Sequence, residues 1–320
     1  MISYSDTALT ISEALQTNAI VWIHSLPEQE MGPSRRILED LEGLAIAGGF
    51  PVIAYAVQNR AELSDLFRQL TTEAEQGLRP VLHVDAHGTV ADGLLLAPSG
   101  ERIGWSEIIE DLRTLNVATA NNLTCIFSLC FGLHLYKQVS LKRPVPAYLF
   151  CAPADEISVG FLEAQTLAFY REMSRTSNVT AAFAATLGEV MQSFHCQGLF
   201  LQSLLRYIRT YCIGRLRQDR LERMVTVVLQ RDRIANPSSA QLKQARREIR
   251  EALKPGQKVI DVFAPSFLIG RAPAFSYADL DRILKRSVRA GLSQPRSVAC
   301  CRSRGQAVKL IPPSSRTQPG

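Results

Sequence analysis

The chain has 320 residues, 46% of them hydrophobic, and a formal net charge of +6, enough for one large α/β domain with an accessory region. No apolar stretch reaches the length of a membrane-spanning helix, and residues 1–17 lack the basic and apolar segments of a secretory signal. Seven scattered cysteines, an odd number, suit a reducing cytosol better than a disulfide framework, so a cytoplasmic protein without membrane contact is expected.

The first half alternates strand and helix signals, which argues for a mostly parallel sheet with crossover helices. Residues 19–24 read as a buried strand. A helix comes next from Ser34 to Ala47, with Ile37, Leu38, Leu41 and Leu44 at helical spacing and Gly48-Gly49 as its stop. Residues 51–57 are the second strand, and 62–75 the next helix. Residues 80–88 form the third strand, ending in His87-Gly88. Asp92 to Gly104 reads as a hairpin, and a helix capped by Ser106 runs to about Leu115. Residues 123–132 form a fourth strand ending in Cys130-Phe131-Gly132, with a helix after it. Residues 147–152 are a fifth strand, leading into the acidic loop Asp155-Glu156. Residues 161–173 and 178–194 look helical.

From Gly198 the pattern is mainly helical, with Lys258 to Phe263 a candidate edge strand and Tyr277 to Ala290 a final amphipathic helix. The organisation expected is a core over 1–197, a helical region over 198–290 that completes or flanks it, and a disordered basic tail over 291–320. Arginines crowd residues 206–250, Arg206, Arg209, Arg215 and Arg217 among them. Asp219, Glu222, Asp232, Glu248 and Glu251 balance them in part, and aromatic residues are not interleaved. A solvated helical face is therefore favoured over a nucleic-acid surface.

The chemistry concentrates at two strand ends. Neighbouring parallel strands would bring His87 and Cys130 to one carboxyl edge, where open α/β sheets place their sites. A cysteine nucleophile needs a base near in space, and glycine beside each residue lets backbone amides approach a reacting carbonyl. Taken singly, His87 would be a satisfied strand-end histidine and Cys130 a small buried hydrophobe. Their joint placement favours a dyad.

Strand-His87-Gly88, then a strand–helix unit, then strand-Cys130-x-Gly132 resembles the caspase-like (clan CD) cysteine peptidases, closest in pattern to bacterial CHAT-type members. Asp92-Gly93-Leu94-Leu95-Leu96 is also similar to the segment after the histidine in the CHAT type. Ser128-Leu129-Cys130-Phe131-Gly132 stands where caspases carry Gln-Ala-Cys-x-Gly. The resemblance spans about residues 18–195. It implies a three-layer α/β/α sandwich and a cysteine endopeptidase acting on protein substrates, often under a regulatory protein partner. Cys130 would be the nucleophile and His87 the proton carrier, with the backbone amides of Gly88 and Cys130 as the oxyanion hole and no metal or cofactor. It further implies that an acid in the loop after the fifth strand, Asp155 or Glu156, receives a basic P1 side chain. These acids could equally solvate the loop or cap the helix starting near Ser158. Stretches 86–100 and 128–136 hold no arginine to select an acidic P1; Arg102 and Arg143 are the nearest cations.

Three other readings compete. His83, Asp85 and His87 share a strand face as a zinc site would need, but they fan out over about 13 Å, and His134 and His195 are isolated. An α/β-hydrolase order of Cys130, Asp155 and His195 lacks the elbow glycine at position 128. Asp85 itself reads as structural, or as an orienter of His87. Last, the chain could be a catalytically silent scaffold that binds a partner through the arginine-rich helices of 198–254.

Overall fold

The computed structural model describes residues 15–47, 50–213 and 215–289. The expected Gly48-Gly49 stop and the expected tail over 291–320 lie outside the described residues. Strand β1 (Ala19–Ser25) leads through helix α1 (Gly32–Ile46) to β2 (Val52–Ala56), then through α2 (Arg60–Glu75) to β3 (Pro80–Thr89). A hairpin of β4 (Gly93–Leu96) and β5 (Glu101–Ile103) pairs antiparallel with the end of β3. Helix α3 (Trp105–Ala118) returns the chain to β6 (Thr124–Ser128), and a 3-10 turn over Gly132–Gln138 precedes β7 (Leu149–Pro153). Helices α4 (Val159–Thr176) and α5 (Val179–Ala185) lead to β8 (Met191–His195).

The main sheet runs β2-β1-β3-β6-β7-β8, parallel throughout except for β8, which pairs antiparallel with β7. Its strands are apolar on both faces, as a sheet sandwiched between helices requires. On one face Trp22, Val81, Ile126 and Leu149 pack with α1 and α4. On the other, Val21, Leu82, Phe127 and Phe150 pack with α2 and α3. The molecule is thus an α/β protein with three layers, as expected.

Strand order reverses between β1 and β3. The chain leaves β1 to one side over α1 and returns to β3 on the other side over α2, on the opposite face. Such a switch point opens a crevice at the carboxyl ends of the strands.

Four assignments made from the sequence are corrected. Helix α3 starts at Trp105 with Gly104, not Ser106, as its N-cap. The strand read over 123–132 ends at Ser128, and Cys130 sits in the turn after it. The helix read over 178–194 stops at Ala185, and Met191–His195 is instead an edge strand. Lys258 to Phe263 is not a strand but part of helix α9 (Gln257–Phe267), which buries Ile260, Ala264 and Phe267 at i, i+4 and i+7. Helix α9 shares the main core with α6 (Cys196–Tyr207) and α10 (Tyr277–Arg289). The Asn121 side-chain amide donates to the Leu268 carbonyl at 2.9 Å and ties α9 to the turn before β6. Helices α7 (Arg215–Arg231) and α8 (Ser239–Ala252) have a small core of their own, built on Leu221, Val225, Ile249 and Leu253.

Candidate active site

Strand alternation sends Trp22, His83, Asp85, His87 and Ser128 to the α1/α4 face of the sheet. Each of the three β3 residues meets a different partner. The His83 ring stacks on Trp22, with centroids 3.7 Å apart, and its Nδ1 lies 3.1 Å from the Tyr170 hydroxyl. Burial pushes this imidazole down to about 3, so it is neutral. Asp85 accepts a hydrogen bond from the Ser34 hydroxyl of α1. Burial pushes its carboxyl up to about 6, against the opposing effects of Ser34 and His87. His87 reaches the rim, where its side chain is 44% exposed and Nε2 lies 2.8 Å from Oε2 of Glu30, in the turn that enters α1.

Cys130 comes to the same rim by register. β3 and β6 are parallel with Asp85 opposite Ser128, where β6 ends; His87 follows two residues on in β3, and Cys130 two residues on in the turn after β6. Cys130 is a half-buried free thiol. The backbones beside the pair are tightly apposed. A Cβ added to Gly88 would lie 2.2 Å from the Cys130 carbonyl oxygen and 2.6 Å from Leu129 Cδ1. Glycine is therefore required there by close approach. One added to Gly132 would sit 3.0 Å from the Ala152 Cβ. Phe131, directly after Cys130, has φ of 60°, a left-handed conformation that is costly for a bulky residue and that clusters at functional sites. Its N–H donates to the Asp155 carbonyl at 3.1 Å, fixing the Cys130 turn to the loop after β7.

Beside the pair is a cavity of about 350 Å³ at the switch point, lined by both His87 and Cys130. Its floor includes Trp22, His83, Asp85, Ser128 and Thr166. Four of these carry a buried polar atom with no hydrogen-bond partner: Trp22 Nε1, His83 Nε2, Ser128 Oγ and Thr166 Oγ1. Orphaned buried groups are rare in proteins. These atoms lie behind the cavity surface and are closed to solvent.

The other residues considered from the sequence lie elsewhere. Asp155 and Glu156 do not line the cavity; their neighbour Ile157 does. Arg102 pairs with Asp92, and Arg143 with Glu110. His195 is the N-cap of α6, with its ring against Tyr148. His134 stacks edge-on against Phe131, with Lys137 Nζ 3.1 Å from its ring nitrogen. Sequence reasoning missed Glu30, Ser34, Trp22 and Thr166 altogether. Trp22 comes from β1, Ser34 from α1, Glu30 from the turn before it and Thr166 from α4, and only tertiary packing brings them to the strand ends. No protein-family model and no curated protein sequence matches the chain.

Proposed function

We propose that the chain is a cysteine endopeptidase of the caspase-like type, with Cys130 as nucleophile and His87 as proton carrier. The observation that carries this reading is that His87 on β3 and Cys130 in the turn just past the end of neighbouring β6 line one cavity at the switch point of the sheet. The sulfur of Cys130 attacks the scissile carbonyl and forms a thioester as the amide C–N bond breaks. His87 gives its proton to the departing amine. Water then attacks the thioester, His87 takes up its proton, and Cys130 leaves.

Glu30 gives the histidine an orientation. With Nε2–H donating to its carboxylate, Nδ1 is the nitrogen that exchanges the proton. The oxyanion is met by the backbone amides of Gly88 and Cys130, at the point where the two chain segments touch. The test is hydrolysis of a fluorogenic peptide library. Cys130→Ala and His87→Ala are expected to lower the rate by at least about a thousandfold with unchanged circular dichroism. Wild-type turnover in either variant would overturn the dyad.

A further inference from the structure

We propose that the helical hairpin α7–α8 is a docking surface for an acidic helical segment of a partner protein, which is met by the exposed cations Lys243, Arg247 and Arg250 of α8. The surface is independent of the peptidase reading.

Three observations carry it. First, the hairpin adds nothing to the main core. Helix α6 before it and α9 after it both pack there, yet among the described residues none from 213 to 258 does. Leu221, Val225, Ile249 and Leu253 hold the two helices to each other instead. Helix α7 joins the rest of the molecule at the turn over Ile208–Cys212, where the Arg220 guanidinium lies over the Tyr207 ring, 5.6 Å from its centroid. The chain therefore leaves the core, builds a hairpin and returns, and the hairpin is left to act through its surface.

Second, this hairpin holds the whole net charge of the chain. Of 36 Lys and Arg and 30 Asp and Glu, residues 215–254 take 11 and 5, which leaves 25 of each for all the rest. Third, part of the excess is aligned and unneutralised. Lys243, Arg247 and Arg250 stand at i, i+4 and i+7 of α8, so they share one face, and all three are exposed. The carboxylates around them are taken. Glu222 pairs with Arg246 at 3.0 Å, Glu251 with Lys254 at 2.7 Å, and Glu248 accepts from the Gln244 amide. The helical rise spreads the three charges over roughly 10 Å, about two turns. An acidic helix laid alongside presents carboxylates at the same spacing, and each guanidinium can hold one through two parallel N–H bonds. Composition favours protein over nucleic acid as the partner. Residues 215–254 contain no Phe, Trp, Tyr or His to stack on bases, and the five acids among the arginines would repel a phosphate backbone.

The test is binding to the full-length Cys130→Ala protein at physiological ionic strength, read by fluorescence anisotropy. The probe is an alanine-based helical peptide with glutamates at i, i+4, i+7 and i+11. It is compared with a peptide of the same composition whose glutamates are spread around the helix, and with a DNA duplex of mixed sequence. Exposed ion pairs are individually weak, so three acting together are expected to make the patterned peptide bind about tenfold more tightly than the shuffled one. Lys243→Gln, Arg247→Gln and Arg250→Gln together keep good helix formers on the surface of α8. They are expected to erase that preference with unchanged circular dichroism. Arg68→Gln, Arg175→Gln and Lys285→Gln together remove the same charge from exposed sites elsewhere and are expected to leave it intact. Equal affinity for the two peptides, tighter binding of the DNA, no binding of either peptide, or the same loss in both triple variants would overturn the proposal.

Discussion

Replacing Asp85 by Asn should make the protein more stable, by an amount that depends on pH. Burial lifts the Asp85 carboxyl from its ordinary 3.8 to about 6. Holding the ionised form in that place therefore costs about 3 kcal/mol. The sign comes from proton linkage. Between those two values the folded state holds a proton that the unfolded state has released, so stability falls as pH rises from about 4 to about 6 and is level beyond it. Asparagine resembles the protonated carboxyl in shape and can still accept from the Ser34 hydroxyl. Asp85→Asn is thus expected to gain about 3 kcal/mol at pH 8 and about half of that at pH 5. Near 2–4 °C per kcal/mol for a chain of this size, the pH 8 gain is a rise in melting temperature of several degrees. Urea unfolding of both proteins at the two pH values measures it. Asp111, which burial and its acidic neighbours Glu107 and Glu110 also raise to about 6, is common to both proteins and cancels in the difference. A destabilised variant at pH 8, or a gain that does not grow with pH, would refute the picture of an unneutralised buried charge.

Three further outcomes are expected. Glu30→Gln should lower peptide turnover by only about fivefold with no change in melting temperature, because its pair with His87 is half exposed; a hundredfold loss in kcat would show a larger part in the chemistry than orientation. Gly88→Ala should cost about 1–3 kcal/mol in thermal unfolding and abolish turnover, since its Cβ has no room against the Cys130 carbonyl; an active, unshifted variant would contradict the close approach. Ile260→Ala, at a fully buried α9 position, should lose about 2–5 kcal/mol, while Val262→Ala, at a position 62% exposed, should be nearly neutral; the reverse pattern would restore the strand reading of this segment.

How much of the fold and site is legible in the sequence depends on the range of the interactions involved. The strand that carries His87 and the strand that leads to Cys130 announce themselves as apolar runs closed by glycine, and their shared edge comes from the alternation of strand and helix. Local signals are weaker where two periods overlap. Val259-Ile260-Asp261-Val262-Phe263 is rich in residues that favour strands, yet Ile260, Ala264 and Phe267 form one helical stripe, and packing on α6 decides the outcome. Met191–His195 is only five residues long and lies at the sheet edge, so its alternation is lost in the helical pattern before it. The cavity is not legible at all. Asp85 reads from the sequence as a structural acid or a partner for His87. Its place on a cavity floor depends on Ser34 in α1, Ser128 in β6 and Thr166 in α4, which are far apart in the chain. Asp155 and Glu156, considered from the sequence for a basic P1 residue, are two loop acids that do not line the cavity.

The central claim is that Cys130 is a nucleophile worked by His87. It is tested most directly by treating the native protein with a peptidyl acyloxymethyl ketone that carries arginine at P1 and locating the adduct by mass spectrometry of the digested protein. One adduct per chain is predicted, on Cys130. Its formation should be slowed at least about a hundredfold by His87→Ala and abolished by Cys130→Ala, with the buried thiols Cys125, Cys151, Cys196 and Cys212 unlabelled. Labelling spread over several cysteines, or labelling of Cys130 at the same rate without His87, would contradict it.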